Sequence, residues 1–190
     1  FATQLASPPR RGAGAARSRV LVVGNPALPA GLEPLPQAQV EAGLVGSLYQ
    51  DARLLTGARA TRSRLLELLP ETTIFHFAGH AVLNQTHPGL SRLVLAAEDT
   101  AGETGAVYAK DIDKDLLGKL VLAVLSGCET GKPSLGRGSG LFGLAGPFLR
   151  AGADVVATLW QVEDGQGAPL FAGLHRRIAG GASPVQALRE

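Results

Sequence analysis

The chain has 190 residues, of which 45% are hydrophobic and 18% charged, and its formal net charge is +2. This length and composition predict a globular domain with a sizeable core and argue against a disordered chain. Aromatic residues make up only 5%, and no apolar run reaches the length of a membrane span, so we expect neither nucleic acid nor a membrane as a direct partner.

The single cysteine, Cys128, cannot form an internal disulfide. The fold must therefore depend on its core, and the reducing cytoplasm is the expected compartment. The chain has no methionine, so Phe1 is not expected to be the native start, and residues 183–190 begin a capped helix without a stop signal. These features predict a fragment of a longer multi-domain protein.

Residues 1–17 are rich in Ala, Gly, Pro and Arg without periodicity, which predicts a flexible linker ahead of one domain over residues 18–190. Continuous apolar runs then alternate with helical patterns. The predicted strands cover residues 19–23, 72–78, 120–125 and 154–160, and residues 91–96 and 105–108 are expected to form a hairpin. The predicted helices cover residues 37–50, 61–69, 139–150 and 164–179, with a final helix from Pro184.

Two of the predicted helices show an apolar stripe. In the first helix it comprises Val40, Leu44 and Leu48. In the helix over residues 164–179 it comprises Leu170, Phe171, Leu174 and Ile178. Strands that are apolar throughout and alternate with amphipathic helices predict an α/β fold, with a mainly parallel sheet between two layers of helices.

Two residues capable of catalysis follow the ends of predicted buried strands. His80 comes after the strand at 72–78, and Cys128 comes after the strand at 120–125. Because parallel α/β sheets place ligand sites beyond the carboxyl ends of their strands, we expect both side chains at one edge. An imidazole beside a thiol stabilises the thiolate and can protonate a leaving amine. A lone cysteine is also common as a small core side chain, and that alternative stays open.

Backbone N–H groups around Ala81, Gly127 and Cys128 would lie beyond the sheet and could face a developing oxyanion. Other patterns are weaker. His76 and His80 form HxxxH in a strand rather than a helix, and therefore no metal site is expected. The GxGxxG pattern at 138–143 lies too far beyond its strand for a dinucleotide fingerprint, and no cofactor is expected. His175 is expected on a solvated helix face, and His87 is expected in a loop.

Four sequence blocks, in this order, resemble the CHAT domain (caspase HetF associated with tetratricopeptide repeats). They are Leu35-Pro36 with Glu41-Ala42, residues 74–81 (IFHFAGHA), residues 125–131 (LSGCETG) and residues 157–164 (ATLWQVED). The resemblance extends from about Val20 to the C-terminal residues. It implies a caspase-like three-layer α/β/α sandwich, in a clan shared with separases and gingipains, and cysteine endopeptidase activity on protein or peptide substrates.

The resemblance also implies roles for individual residues. The His-Gly pair of the family falls on His80 and Ala81, its small-residue-Cys pair falls on Gly127 and Cys128, and its Trp-x-Val-x-Asp block ends at Asp164. Asp164 is therefore the candidate for the floor of an S1 pocket that takes a basic P1 side chain, with a helix N-cap as the alternative. Ala81 replaces the usual glycine, and it would be strained if that position required a positive φ.

The hypothesis from the sequence is thus a cysteine endopeptidase with a dyad of Cys128 and His80, controlled by regulatory domains such as tetratricopeptide repeats in the parent chain. One alternative is an inactive pseudo-protease that serves as an interaction scaffold, which Ala81 favours. A third is a nucleotide-binding domain that uses the loop from Gly131 to Gly143.

Overall fold

The computed structural model describes residues 2–5, 18–29, 31–84, 86–98, 105–126, 139–158 and 167–189, with only the backbone described for 2–5 and 139–142. The strands in this part of the chain are β1 (Ala2–Leu5), β2 (Val20–Pro26), β3 (Ala52–Gly57), β4 (Ile74–Ala78), β5 (Ala81–Val82), β6 (Arg92–Val94), β7 (Ala106–Tyr108), β8 (Leu122–Ser126) and β9 (Asp154–Thr158). The helices are α1 (Pro36–Ser47), α2 (Arg62–Leu68), α3 (Ser139–Arg150), α4 (Gly167–Ala179) and α5 (Pro184–Arg189).

The central sheet has the strand order β1-β9-β8-β4-β2-β3 within the described ranges. Its neighbouring strands run parallel, except for β1, which is antiparallel to β9. The interior strands are mostly apolar because both faces of the sheet are covered, and His76 of β4 is a buried polar exception. A second sheet of order β5-β6-β7 contains the predicted hairpin, formed by β6 and β7.

Alternate residues of each interior strand point into two different cores. Leu21, Phe75 and Leu125 pack into one core together with side chains of α2 and α3. Val22 and Val124 pack into the other core, under α1, α4 and α5. The predicted three-layer α/β/α sandwich with a mainly parallel sheet is therefore confirmed.

Three helix ends, those at the starts of α2 and α5 and at the end of α4, follow local capping rules. Thr61 accepts a hydrogen bond from the N–H of Arg64 at the start of α2. Ser183 and Gln186 form a capping box at the start of α5, where a capped helix is predicted: the Ser183 N–H donates to Gln186 Oε1 and the Gln186 N–H donates to Ser183 Oγ. At the end of α4, Gly181 adopts a φ of 98°, the left-handed conformation that glycine favours.

The buried face of α1 differs from the predicted stripe. Val40 and Leu44 are 50% and 45% exposed. The face turned to the sheet instead consists of Ala38, Glu41, Ala42 and Val45. The small residues face the sheet because α1 crosses close to Gly24 of β2, where an added Cβ would overlap that of Ala42. Leu170 of α4 is also exposed, contrary to the prediction.

Three of the described strands lie outside the predicted elements. One is the two-residue strand β5 of the second sheet. Another is β1, Ala2–Leu5, which pairs with β9 although its composition predicts linker, and which extends the sheet by one antiparallel strand. The third, β3, forms the opposite edge of the sheet, and of its two leucines only Leu55 is buried. An edge strand has less apolar surface to bury than an interior strand, which weakens its sequence signal.

Candidate functional site

The carboxyl ends of two adjacent parallel strands define the candidate site. Ala78 at the end of β4 pairs in register with Ser126 at the end of β8. The N–H of Gly79 donates a hydrogen bond to the carbonyl oxygen of Ser126 at 3.3 Å, which extends the pairing by one step. In the sequence, His80 follows Ala78 by two residues and Cys128 follows Ser126 by two residues. The strands that precede the candidate base and the candidate nucleophile are thus direct neighbours.

His80 is positioned by its backbone and by its ring. The side chain is only 2% exposed. Its carbonyl oxygen accepts a hydrogen bond from the N–H of Val94 at 2.9 Å, and its Nε2 lies 2.8 Å from the carbonyl oxygen of Glu33. Because a carbonyl oxygen can only accept, Nε2 carries a proton, and in the neutral imidazole Nδ1 is then the nitrogen with the lone pair.

Ala81 begins β5, and its antiparallel partner is Leu93. Since Val94 donates to the carbonyl of His80, the pair of His80 and Val94 occupies the hydrogen-bonded position of the ladder and Ala81 occupies the next, non-hydrogen-bonded one. The Ala81 N–H therefore points away from β6. Among the described non-glycine residues only Asn25 has a positive φ, so the methyl group of Ala81 causes no backbone strain.

Three predicted site residues, Gly127, Cys128 and Asp164, lie outside the described residues. The flanking secondary structure is described: β8 ends at Ser126, β9 ends at Thr158 and α4 begins at Gly167. The strand order places β8 between β4 and β9. The segments that contain Cys128 and Asp164 thus leave from the same edge of the sheet as the segment that contains His80.

The core also contains four polar side chains that are joined end to end and were not predicted from the sequence. This buried polar chain consists of Glu41 of α1, His76 of β4, His175 of α4 and Tyr49, which follows α1. Glu41 Oε1 lies 2.9 Å from His76 Nε2, His76 Nδ1 lies 3.1 Å from His175 Nε2, and His175 Nδ1 lies 2.9 Å from the Tyr49 hydroxyl. The prediction of a solvated His175 is wrong, because this side chain is fully buried.

The protein environment shifts the pKa of two members of this chain. Burial, together with the adjacent His76, holds the pKa of His175 well below its ordinary value, so that His175 stays neutral in the folded protein. Burial also raises the pKa of the Tyr49 phenol, which therefore remains a hydrogen-bond donor. The Tyr49 hydroxyl lies 3.3 Å from the carbonyl oxygen of His175 as well as close to its ring.

A sequence signal for His175 does exist. Positions 171, 174, 175 and 178 lie on one face of a helix, and Phe171, Leu174 and Ile178 are all buried in α4. The two arginines that follow His175 suggest a polar face. Each residue of an α-helix is rotated by about 100° from the one before it, so these arginines lie on other faces than His175. The helical period therefore predicts burial of His175 when it is applied to this residue itself.

The described residues also form two clefts, which lie away from His80. Within the described ranges, no cluster of three His, Cys, Asp or Glu residues is arranged to hold a metal ion. The two clefts, of about 520 and 450 Å³, lie at the amino ends of β2 and β3 and along the edge strand β3. His80 lines neither cleft. The helices in the described ranges lack the length and continuous hydrophobicity that a membrane span requires.

Comparison with known proteins assigns the chain to a family. No curated protein matches the sequence. The family model of the CHAT domain matches residues 1–190. The match extends over the predicted linker as well, in agreement with the pairing of β1 into the sheet. The chain therefore belongs to the CHAT domain family, a member of the caspase-like protease clan.

Proposed function

We propose that this domain is a cysteine endopeptidase in which Cys128 and His80 form the catalytic dyad. The observation that supports this function is the register of β4 and β8: the residues at their ends pair directly, and each is followed by a dyad residue at the same sequence distance. Adjacent parallel strands lie about 4.8 Å apart, so two side chains that leave them at equivalent positions are within reach of one another.

The proposed reaction proceeds in two steps. The Cys128 thiolate attacks the carbonyl carbon of the scissile peptide bond, and His80 donates a proton to the departing amine, which leaves an acyl-enzyme. Water, deprotonated by His80, then hydrolyses the thioester, which releases the carboxylic acid and restores the thiol. The proposed oxyanion donors are backbone N–H groups near Ala81, Gly127 and Cys128.

The hydrogen bond to Glu33 supports the role proposed for His80. Because Nε2 donates to the Glu33 carbonyl, the ring cannot turn over without losing this bond. The same bond stabilises the imidazolium that forms when the other nitrogen, Nδ1, takes a proton. We therefore propose Nδ1 as the atom that exchanges a proton with Cys128.

Asp164 is the proposed specificity residue. Its carboxylate would pair with a basic P1 side chain, in line with the position of Asp164 in the segment between β9 and α4. We further propose that regulatory domains elsewhere in the parent protein, such as tetratricopeptide repeats, control access of protein substrates to this site.

The alternative function is an inactive scaffold; backbone strain at Ala81 does not support it, because Ala81 lies in strand β5 without a positive φ. The two functions still predict different chemistry for the only thiol. A thiolate paired with His80 reacts quickly with a thiol reagent near neutral pH, whereas an inert structural thiol reacts slowly.

The experiment compares peptide-library cleavage by the wild type, Cys128→Ala and His80→Ala, with thermal unfolding as the measure of folding. His87→Gln, at an exposed position, is the matched control for the histidine change. We expect both dyad variants to fold and to lose cleavage by at least about 10³-fold, while the control retains it. Cleavage by Cys128→Ala at the wild-type rate would rule out the proposed nucleophile.

A further inference from the structure

The buried hydrogen-bonded side chains from Glu41 to Tyr49 link three elements of the fold. Glu41 belongs to α1, His76 to β4 and His175 to α4, and the three side chains are 0–5% exposed. Four polar side chains in a core are costly to bury unless they are paired, and these are paired end to end. These hydrogen-bonded side chains therefore fix the distances between α1, α4 and the central strand β4.

The Glu41 end of this chain lies beside the first residue of α4. Glu41 Oε2 lies 2.9 Å from the position that a Cβ atom would take on Gly167. Ser126 Oγ lies 3.8 Å from the same position. The end of β8, the start of α4 and the buried carboxylate thus meet at one point, and Gly167 is the residue that leaves room for them.

We propose that Glu41 is a positioning residue of the peptidase site, whose carboxylate, held by His76, sets the start of α4 against the end of β8. This inference rests on the proposed function. Residues 126 and 167 border the two sequence segments that contain Cys128 and Asp164. A displacement at this point is therefore transmitted to the nucleophile and to the specificity residue, although Glu41 itself takes no part in the reaction.

The hydrogen-bond chemistry of the chain explains why a carboxylate is needed. His76 Nε2 donates to Glu41, and a negative charge makes this bond stronger and shorter than a bond to a neutral amide. In a chain of hydrogen bonds each bond polarises the next, so the orientation of the His76 ring also governs the bond to His175. Loss of the charge weakens the whole chain without leaving an empty space.

The first test is Gly167→Ala, which displaces the Glu41 carboxylate without changing any side chain of the buried polar chain. Alanine has a higher helix propensity than glycine, so α4 itself is not weakened. The new methyl group, however, would lie 2.9 Å from Glu41 Oε2 and must displace that carboxylate. Gly173→Ala is the matched control, since its Cβ would lie in the same helix at an ordinary distance of 3.8 Å from Arg177 Nη1.

A second variant, Glu41→Gln, removes the charge while it keeps the size of the side chain. Its control is Glu67→Gln, the same chemical change at the exposed carboxylate that pairs with Arg64. A further control, Leu65→Ala, destabilises the core on the other face of the sheet. This variant shows what a loss of stability alone does to the site.

Three quantities are measured on each variant of the 190-residue domain: kcat and KM on peptide substrates, the rate of iodoacetamide labelling at Cys128, and the midpoint of thermal unfolding. Labelling does not require peptide cleavage. It reports on Cys128 alone, because the sequence contains no other cysteine. If wild-type protein fails to cleave any peptide, the proposed function fails, and the positioning role is judged by the labelling rates alone.

For Gly167→Ala and Glu41→Gln we expect kcat/KM to fall about 10-fold or more, mainly through kcat, and the labelling rate to change about threefold or more. We expect Gly173→Ala, Glu67→Gln and Leu65→Ala to stay within about twofold of the wild type in both rates while each remains folded. The proposal is overturned if Gly167→Ala and Glu41→Gln match their controls in labelling, whatever their unfolding midpoints.

Discussion

The buried His175 predicts an acid-sensitive fold. Its pKa is held well below its ordinary value of 6.5, first by burial and second by the nearby His76. In the unfolded chain the pKa of this imidazole returns to its ordinary value. Below about pH 6.5 the unfolded state therefore binds a proton that the folded state does not bind. By linkage, this proton uptake lowers the free energy of unfolding as the pH falls.

The magnitude follows from the position of His175. The side chain is fully buried, so solvent does not screen the interaction, and its Nδ1 and Nε2 both lie within hydrogen-bond distance of neighbours. One proton bound only by the unfolded state costs roughly 1–2 kcal/mol of stability between pH 7.5 and pH 5.5. Above about pH 7 the contribution is complete and the pH dependence disappears.

The assay is urea unfolding of the domain at closely spaced pH values between 5.5 and 7.5, for the wild type, His175→Gln and His87→Gln. We expect the free energy of unfolding of the wild type to rise with pH up to about pH 7 and then level off. His175→Gln lowers stability at every pH, because the partners of the ring lose a hydrogen bond, but it removes most of the slope. His87→Gln, at an exposed position, keeps the slope.

The reasoning would be refuted by a wild-type stability that does not change between pH 5.5 and pH 7.5. It would equally be refuted if His175→Gln retained the slope of the wild type. Carboxylates titrate mainly below this range, so they do not produce the same profile.

Two further predictions concern the packing of α1 and the specificity of cleavage. Gly24→Ala would place a Cβ atom against Ala42 and 2.8 Å from the carbonyl oxygen of Ala38. We therefore expect chemical unfolding to show that the free energy of unfolding falls by about 1–3 kcal/mol. Gly43→Ala, with open space around its Cβ, is the control and should not lower it. Asp164→Asn should lower kcat/KM about 10²-fold for substrates with arginine at P1 and leave leucine substrates within a few-fold, as measured on matched peptides; an unchanged preference for arginine would exclude Asp164 from the S1 pocket.

The features that could be predicted from the sequence are those encoded by neighbouring residues. The mainly apolar runs that form β4 and β8 could be recognised without knowledge of their partner strands, because a strand covered on both faces is mostly apolar. The caps of α2 and α5 were equally local. The edge strand β3 was missed, because exposure of Arg53 and Leu54 removes the pattern on which such a prediction relies.

The polar chain could not be predicted in the same way, because its bonds connect residues far apart in the sequence. Glu41 and His76 are 35 positions apart, and His76 and His175 are 99 apart. If burial followed hydrophobicity alone, Val40 and Leu44 would lie on the inner face of α1. In the structure both of these residues are exposed. The carboxylate of Glu41 can occupy the inner face only because His76 compensates for its burial.

The dyad can be inferred from local sequence features, whereas the positioning role of Glu41 cannot. The dyad is inferred from strand ends, and the register of Ala78 with Ser126 supports it without any reference to polar contacts. The positioning role of Glu41 depends on tertiary contacts alone, because Gly167, Ser126 and Glu41 are brought together by three different elements. A sheet edge can bring a nucleophile and a base close together, but their alignment to within a fraction of an ångström depends on what holds the surrounding helices. In this domain that requirement falls on a buried carboxylate whose partner histidine lies in the central strand β4.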